Sequence, residues 1–219
     1  MRLTVMSPSR YSFPTFQHPL EELKDLITAL TNFAEPCKIL KGQHINLKHQ
    51  GSTVCYIINA GYLSYRQRGN GFVFSYVYPG TIIGVGHLFT SQNAGYFRAE
   101  EDLEVLRVSK ESVMSTLENR PELWKNVAIY LAYCSQLLVV RDKKINNKSA
   151  YDIIRSFLLE LDAQPDPIKK SIAASRYILE RTSLARSTVM SILSGLQKGG
   201  YLFLERGVLV KINRLPEKY

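Results

Sequence analysis

A chain of 219 residues with 45% hydrophobic and 21% charged side chains has room for one large or two ordinary domains and enough apolar residues to bury a core. Its first twenty residues carry an early positive charge but neither the apolar run nor the small-residue cleavage site of a secretory signal, and nowhere do eighteen apolar residues follow one another, so a cytoplasmic protein with no membrane partner is expected. Three widely spaced cysteines, Cys37, Cys55 and Cys134, exclude a disulfide scaffold, a zinc knuckle and an iron–sulfur cluster held within one chain.

Residues 1–19, with prolines at 8, 14 and 19, read as a loose arm. In "PLEELKDLITALTNF" the positions Leu20, Leu23, Leu26, Ile27 and Leu30 recur at helical spacing, which predicts a short amphipathic helix ending near Pro36. Between about 37 and 108 come brief β-rich runs, "CKIL", "TVCYIINAGYLSYRQ", "GFVFSYVYPG", "TIIGVG" and "LEVLRVS", separated by Gly, Asn and Pro turns. Such spacing predicts a sandwich or barrel, with "SQNAGYFRAEED" as a long connection inside it. The stretch "NRPELWKNVAIYLAYCSQLLVVRDKKIN" reads as a long helix. Its Leu123, Val127, Tyr130, Cys134, Leu137 and Arg141 follow steps of 4, 3, 4, 3, 4, the seam of a coiled coil with a second copy of the chain. Leu131 and Leu138 form a second row, so one side could cover the β domain while the seam meets its twin. Cys134 on that seam is either a redox-sensitive intersubunit pair or a small apolar filler. A further helix, "AYDIIRSFLLELD", stops before Pro165 and Pro167.

The formal charge of +9 is concentrated at the carboxyl end, where residues 168–214 hold nine Lys or Arg against two acids. That points to a polyanionic partner. "SRYILERT", 175–182, reads as a short helix with Ser175 as its N-cap, and "SLAR" turns the chain into a second helix. In "SLARSTVMSILSGLQ" the residues Val189, Ile192, Leu193 and Leu196 form a buried face, leaving Arg186, Ser187, Met190, Ser191 and Ser194 outside. Gly199 and Gly200 end that helix, and "YLFLE" and "VLVKI" form a wing around the turn Arg206-Gly207. This is a winged helix-turn-helix, in which Arg186 can reach guanine O6 and N7 in the major groove while hydroxyls, Lys198 and Arg206 hold phosphates of double-stranded DNA. A winged helix that docks instead on another regulator is the alternative.

From about residue 20 to 215 the chain resembles the cyclic-AMP receptor protein and fumarate–nitrate regulator (CRP/FNR) superfamily of bacterial transcription factors. The segments that carry the resemblance are "INAGYLSYRQ", "GTIIGVGHLF", the helix at 121–145 and, most clearly, "ARSTVMSILSGL". It implies an α+β chain: a jelly-roll β-roll sensor like a cyclic-nucleotide-binding domain at 20–118, a dimerisation helix at 119–146 and a winged helix-turn-helix at 147–219. By motif position, Arg186, Ser187 and Ser191 would face bases and Thr188 a phosphate. Activators of this kind also meet RNA polymerase. Val85 stands where the family's nucleotide-binding Glu would be, and Asn93-Ala94 where an Arg-Ser pair would hold the phosphate, so a cyclic nucleotide is not expected. Ala185 replaces a capping Ser, and Ser191 a second base-reading Arg. The whole chain further resembles the subgroup called inhibitor of hydrogen peroxide resistance, which implies a response to oxidative stress.

His44, His49 and His87 lack the His-x-His and Glu of a metal-binding cupin, and no nucleophile–base pair or phosphate loop is present, so neither a metal, a cofactor nor an enzyme is expected. The Tyr and Phe residues of the β domain read mainly as packing, and "EEDLE" at 100–104 as a solvated loop.

Overall fold

A computed structural model describes residues 19–90 and 94–217, which leaves the expected arm, apart from Pro19, and Asn93 outside the described residues. The described residues fall into two compact units that part between Leu138 and Val139.

The first unit opens with α1 (Leu20–Thr31), which buries Leu23, Leu26 and Leu30 as their spacing requires. Nine strands follow: β1 (Glu35–Ile39), β2 (His44–Ile45), β3 (Lys48–His49), β4 (Ser52–Ala60), β5 (Leu63–Gln67), β6 (Val73–Val77), β7 (Thr81–Ile83), β8 (Gly95–Ala99) and β9 (Leu103–Ser109). They form two antiparallel sheets, one ordered β1-β9-β4-β3 with β7 also on β4, the other β2-β8-β5-β6. Ile45, Ile58, Leu63, Ile83, Ala99 and Val105 from the two sheets share one apolar cluster, as facing sheets must. Gly84, at φ +95° after β7, is fixed by geometry: a Cβ there would lie 2.8 Å from the Val54 carbonyl oxygen.

The segment expected to be a long connection contains β8, which lies between β2 and β5. "EEDLE" is likewise engaged. Glu100 Oε1 accepts from Ser64 Oγ at 2.6 Å and from Arg66 Nη2 at 2.9 Å, and Asp102 Oδ1 accepts from the Lys41 amide at 2.8 Å. After β9 the chain passes directly into α2 (Lys110–Asn119), a helix with no counterpart in the sequence reading; Ser109 caps it by accepting from the Ser112 amide at 3.0 Å.

The helix α3 (Leu123–Ile145) turns residues of both expected rows to the core of its own unit: Leu131, of the second row, packs there as expected, and the front of the expected seam packs there too. Leu123, Val127 and Tyr130 are buried in the core of their own unit with α1, α2, Ile57 and Ile82, and the Tyr130 hydroxyl donates to the Ile82 carbonyl at 2.6 Å. Cys134 packs at the edge of the same cluster. Leu123, Val127 and Tyr130 are thus covered by their own unit, because the sheet offers them a nearby apolar surface. The outward row holds Trp124, Leu138 and Val139, which are 38%, 51% and 43% exposed, with Ala128, Ala132 and Ser135 between them. By length and composition α3 could cross a membrane, since an 18-residue window reaches a mean hydropathy of 1.3.

The second unit contains α4 (Ala150–Asp162), α5 (Asp166–Ser171), α6 (Ala174–Leu179), α7 (Arg186–Lys198), β10 (Leu202–Glu205) and β11 (Val208–Ile212). Ser149 caps α4 by accepting from the Asp152 amide at 3.1 Å. Ile154, Phe157, Leu158 and Leu161 of α4 are buried, as are Tyr177, Ile178, Val189, Leu193 and Leu196 of the two helices that follow.

Candidate nucleic-acid interface

The first helix of the pair α6–α7 both starts and ends earlier than the sequence suggests, and the turn after it is longer. The first helix starts at Ala174 with Ala173 in the N-cap position, so Ser175 lies inside the first turn, half-buried, and caps nothing. It ends at Leu179; Thr182, expected in the helix, is buried in the connection and donates its hydroxyl to the Ile178 carbonyl at 3.0 Å. On α7 Val189, Leu193 and Leu196 are buried as their spacing requires and Ile192 is half-buried, whereas Arg186, Ser187, Met190, Ser191 and Ser194 are exposed. Ala185 occupies the N-cap position without a side-chain hydrogen bond, and no acid stands in the first turn. The positive end of the helix dipole therefore emerges uncompensated beside Arg186.

Gly199 keeps a right-handed backbone (φ −76°), and Gly200 alone takes the left-handed conformation (φ +70°) that releases the chain into the wing. Arg206 and Gly207 both have positive φ, +50° and +83°, which suits the tight turn between β10 and β11. The wing is anchored by the Ala174 amide, which donates to the Gly207 carbonyl at 2.8 Å.

The charge is less uniform than its count implies. Lys169 pairs with Asp162, Lys170 with Asp166 at 2.7 Å and Arg176 with Glu180 at 2.8 Å. Arg181 is buried; its Nη1 donates to the Tyr177 carbonyl at 2.9 Å, and its Nε lies 3.8 Å from Glu160. Among the described residues, Arg186, Lys198, Arg206, Lys211 and Arg214 are exposed and make no ion pair. These five mark the first and last turns of α7, the tip of the wing, its second strand and the segment just beyond.

Other candidates belong to the first unit. His44 rests against the Tyr96 ring at 4.5 Å, His49 Nδ1 is 3.2 Å from Arg107, and His87 belongs to a short 3-10 turn. Burial raises the thiol of Cys134 above its ordinary value and pushes that of Cys55 up to about 12, which favours the unreactive protonated form. Val85 is buried among Ile57, Ile82 and Leu88.

Comparison with known proteins agrees with this geometry. Residues 150–217 match the family of winged helix-turn-helix DNA-binding domains. The protein named inhibitor of hydrogen peroxide resistance in Salmonella typhimurium LT2 is 28% identical over 203 residues, covering 92% of this chain and 97% of that protein. Its namesake in Escherichia coli K12 is 36% identical over 104 residues, 48% of this chain and 50% of that protein. Among solved structures, the c-di-GMP responsive global regulator CLP of Xanthomonas campestris superimposes with a TM-score of 0.70 at 13% identity, over 87% of this chain and 99% of its own. A CRP/FNR-family transcriptional regulator of Eubacterium rectale superimposes with a TM-score of 0.65 at 16% identity, over 85% of this chain and 90% of its own. The chain has the CRP/FNR fold. Within that fold residues 150–217 are the part that matches a winged helix-turn-helix DNA-binding domain, and the two solved neighbours are named as regulators.

Proposed function

We propose that the chain is a homodimeric transcription regulator that binds double-stranded DNA through paired winged helices and has a β-roll that no longer takes a cyclic nucleotide. The observation that carries this reading is α7, whose exposed Arg186, Ser187, Met190 and Ser191 lie at and beyond an uncapped amino end, with unpaired cations at both ends of the helix. Small side chains allow the helix deep into a major groove; Arg186 donates to guanine, Ser187 and Ser191 reach base edges, and Thr188, Ser175, Lys198 and Arg206 serve phosphates. RNA polymerase is the further partner on the same DNA if the outcome is activation.

A second copy would dock along the outward row of α3, where small residues let two helices approach between Trp124, Leu138 and Val139. The apolar length of α3 is better used there than in a bilayer, because Leu123, Val127 and Tyr130 already face the sheet core. Of the expected seam, Cys134 and Leu137 are half-buried; Arg141 donates to the Arg181 carbonyl at 3.2 Å within the second unit. Val85, packed in apolar surroundings, supports loss of the nucleotide site, since it offers nothing to a ribose hydroxyl. A response to hydrogen peroxide is supported by the names of the relatives, and Cys134 is the residue to test for it.

Mobility shifts of genomic fragments by the purified protein test the DNA reading. Binding is expected to weaken by about a thousandfold between 50 and 200 mM salt, and Arg186→Ala to weaken it by about tenfold or more at fixed salt. Full retention of binding by Arg186→Ala would overturn the assignment of α7.

A further inference from the structure

Among the described residues, Met190 is the one large apolar side chain that α7 exposes, at 49%. A lone exposed methionine is ordinary on a protein surface; its place on this helix sets it apart. Residues three and four apart on a helix are neighbours, and those of Met190 on the exposed face are Arg186 and Ser187 towards the amino end and Ser194 towards the carboxyl end. Both serines are short, so the longer methionine can reach past them.

These residue types differ in what they can distinguish. A serine hydroxyl donates or accepts and so suits every base edge, whereas an arginine fork picks out guanine. Gln197 is tied to the wing, its amide donating to the Leu204 carbonyl at 3.5 Å, and Lys198 lies in the last turn. That leaves Met190 as the second discriminating side chain. Its thioether is only a weak acceptor, so it gains little from the polar groups of a base edge and leaves unpaired any donor it covers. The major groove offers a flexible apolar side chain one matching feature, the methyl group on pyrimidine C5. We infer that Met190 reads this methyl group, carried by thymine or by 5-methylcytosine, beside the guanine held by Arg186. Four residues rise about 6 Å along a helix axis and base pairs are about 3.4 Å apart, which places the methyl within about two base pairs of that guanine. This rests on the DNA reading of α7 and adds to it the base feature that the site selects.

The test uses the full-length protein and a 40-base-pair duplex that the protein itself has selected from a random pool. Each pyrimidine near the guanine on which Arg186 depends is varied in turn, thymine against uracil and 5-methylcytosine against cytosine, pairs that differ only in the methyl group. At one position, loss of the methyl is expected to weaken wild-type binding about fourfold, the value of one buried methyl group. Met190→Ala should bind the methylated duplex more weakly by a similar factor and bind both members of each pair alike, and Met190→Leu should keep the preference. Met190 is exposed, so these variants should melt with the wild type. A preference shown with both pyrimidines makes cytosine methylation a signal to this protein; one confined to thymine assigns the contact to thymine. If Arg186→Ala weakens binding but no methyl matters, or one matters equally to Met190→Ala, the Met190 inference falls and the α7 reading stands. If the wild type selects no duplex at all, both fall.

Discussion

Glu160 accepts from the Tyr177 hydroxyl at 2.8 Å and from Lys144, and it lies near the buried guanidinium of Arg181, which also stacks on the Tyr177 ring at 3.5 Å. One carboxylate thus ties the end of α3 and the start of the helix pair to α4. Glu160→Gln should lower the unfolding free energy by about 3 kcal/mol, because the buried Arg181 and the half-buried Lys144 lose the carboxylate charge they share; urea denaturation followed by circular dichroism checks this, and unchanged stability would refute it. Cys55 supplies a pH test. Its thiol titrates at about 12 when folded, pushed up by burial, and at about 8.5 when unfolded. The folded state therefore holds its proton longer, so this contribution to stability is complete below the unfolded value and declines as pH rises towards the folded one. Tyr133, also raised to about 12 by burial, contributes in the same sense against an ordinary tyrosine value near 10. Between pH 9 and 10.5 the unfolding free energy should fall, and Cys55→Ala should reduce that slope by about 1.4 kcal/mol per pH unit; an unchanged slope would show that Cys55 does not hold its proton this way. At this scale the sequence reveals residue types but not partners: the nine cations are visible in it, whereas the pairing of Lys169, Lys170, Arg176 and Arg181 with acids is a property of the fold.

Elements were legible where periodicity and turn chemistry agreed. The alternation and spacing around Val189 and Leu193 gave α7 and its faces, and Arg206-Gly207 gave the wing. Three features escaped for physical reasons. Strand β8, "GYFRA", is short, begins with Gly and is followed by three acids that read as a loop. Helix α2 follows β9 without an intervening loop, so no composition change marks it. The two rows on α3 are both apolar, and only the position of the sheet decides which one is buried. The exposure of Leu138 makes the proposed dimer testable. Leu138→Glu is expected to convert the protein to a monomer in sedimentation and to weaken duplex binding by about tenfold or more, since each half-site is then held alone. Leu138 is 51% exposed, so the chain should still fold. A dimer that survives this change would place the interface elsewhere.

The whole molecule comprises a two-sheet β domain, a helix that presents an outward apolar row, and a winged helix on which, among the described residues, five exposed cations make no ion pair. The fold was readable from the amino-acid pattern because the strongest motifs lie in its most constrained parts, the glycine turn at Gly84 and the face of α7. The regulatory input was not, because Val85 is buried in an apolar cluster and points to no ligand. Hydroxyl-radical footprinting of the intact protein on a genomic fragment it retains is the most direct test of the central claim, that two α7 helices lie in successive turns of one duplex. Two protected patches with centres about 10 base pairs apart are expected, lost together in Leu138→Glu. A single patch, or protection with no fixed spacing, would contradict it.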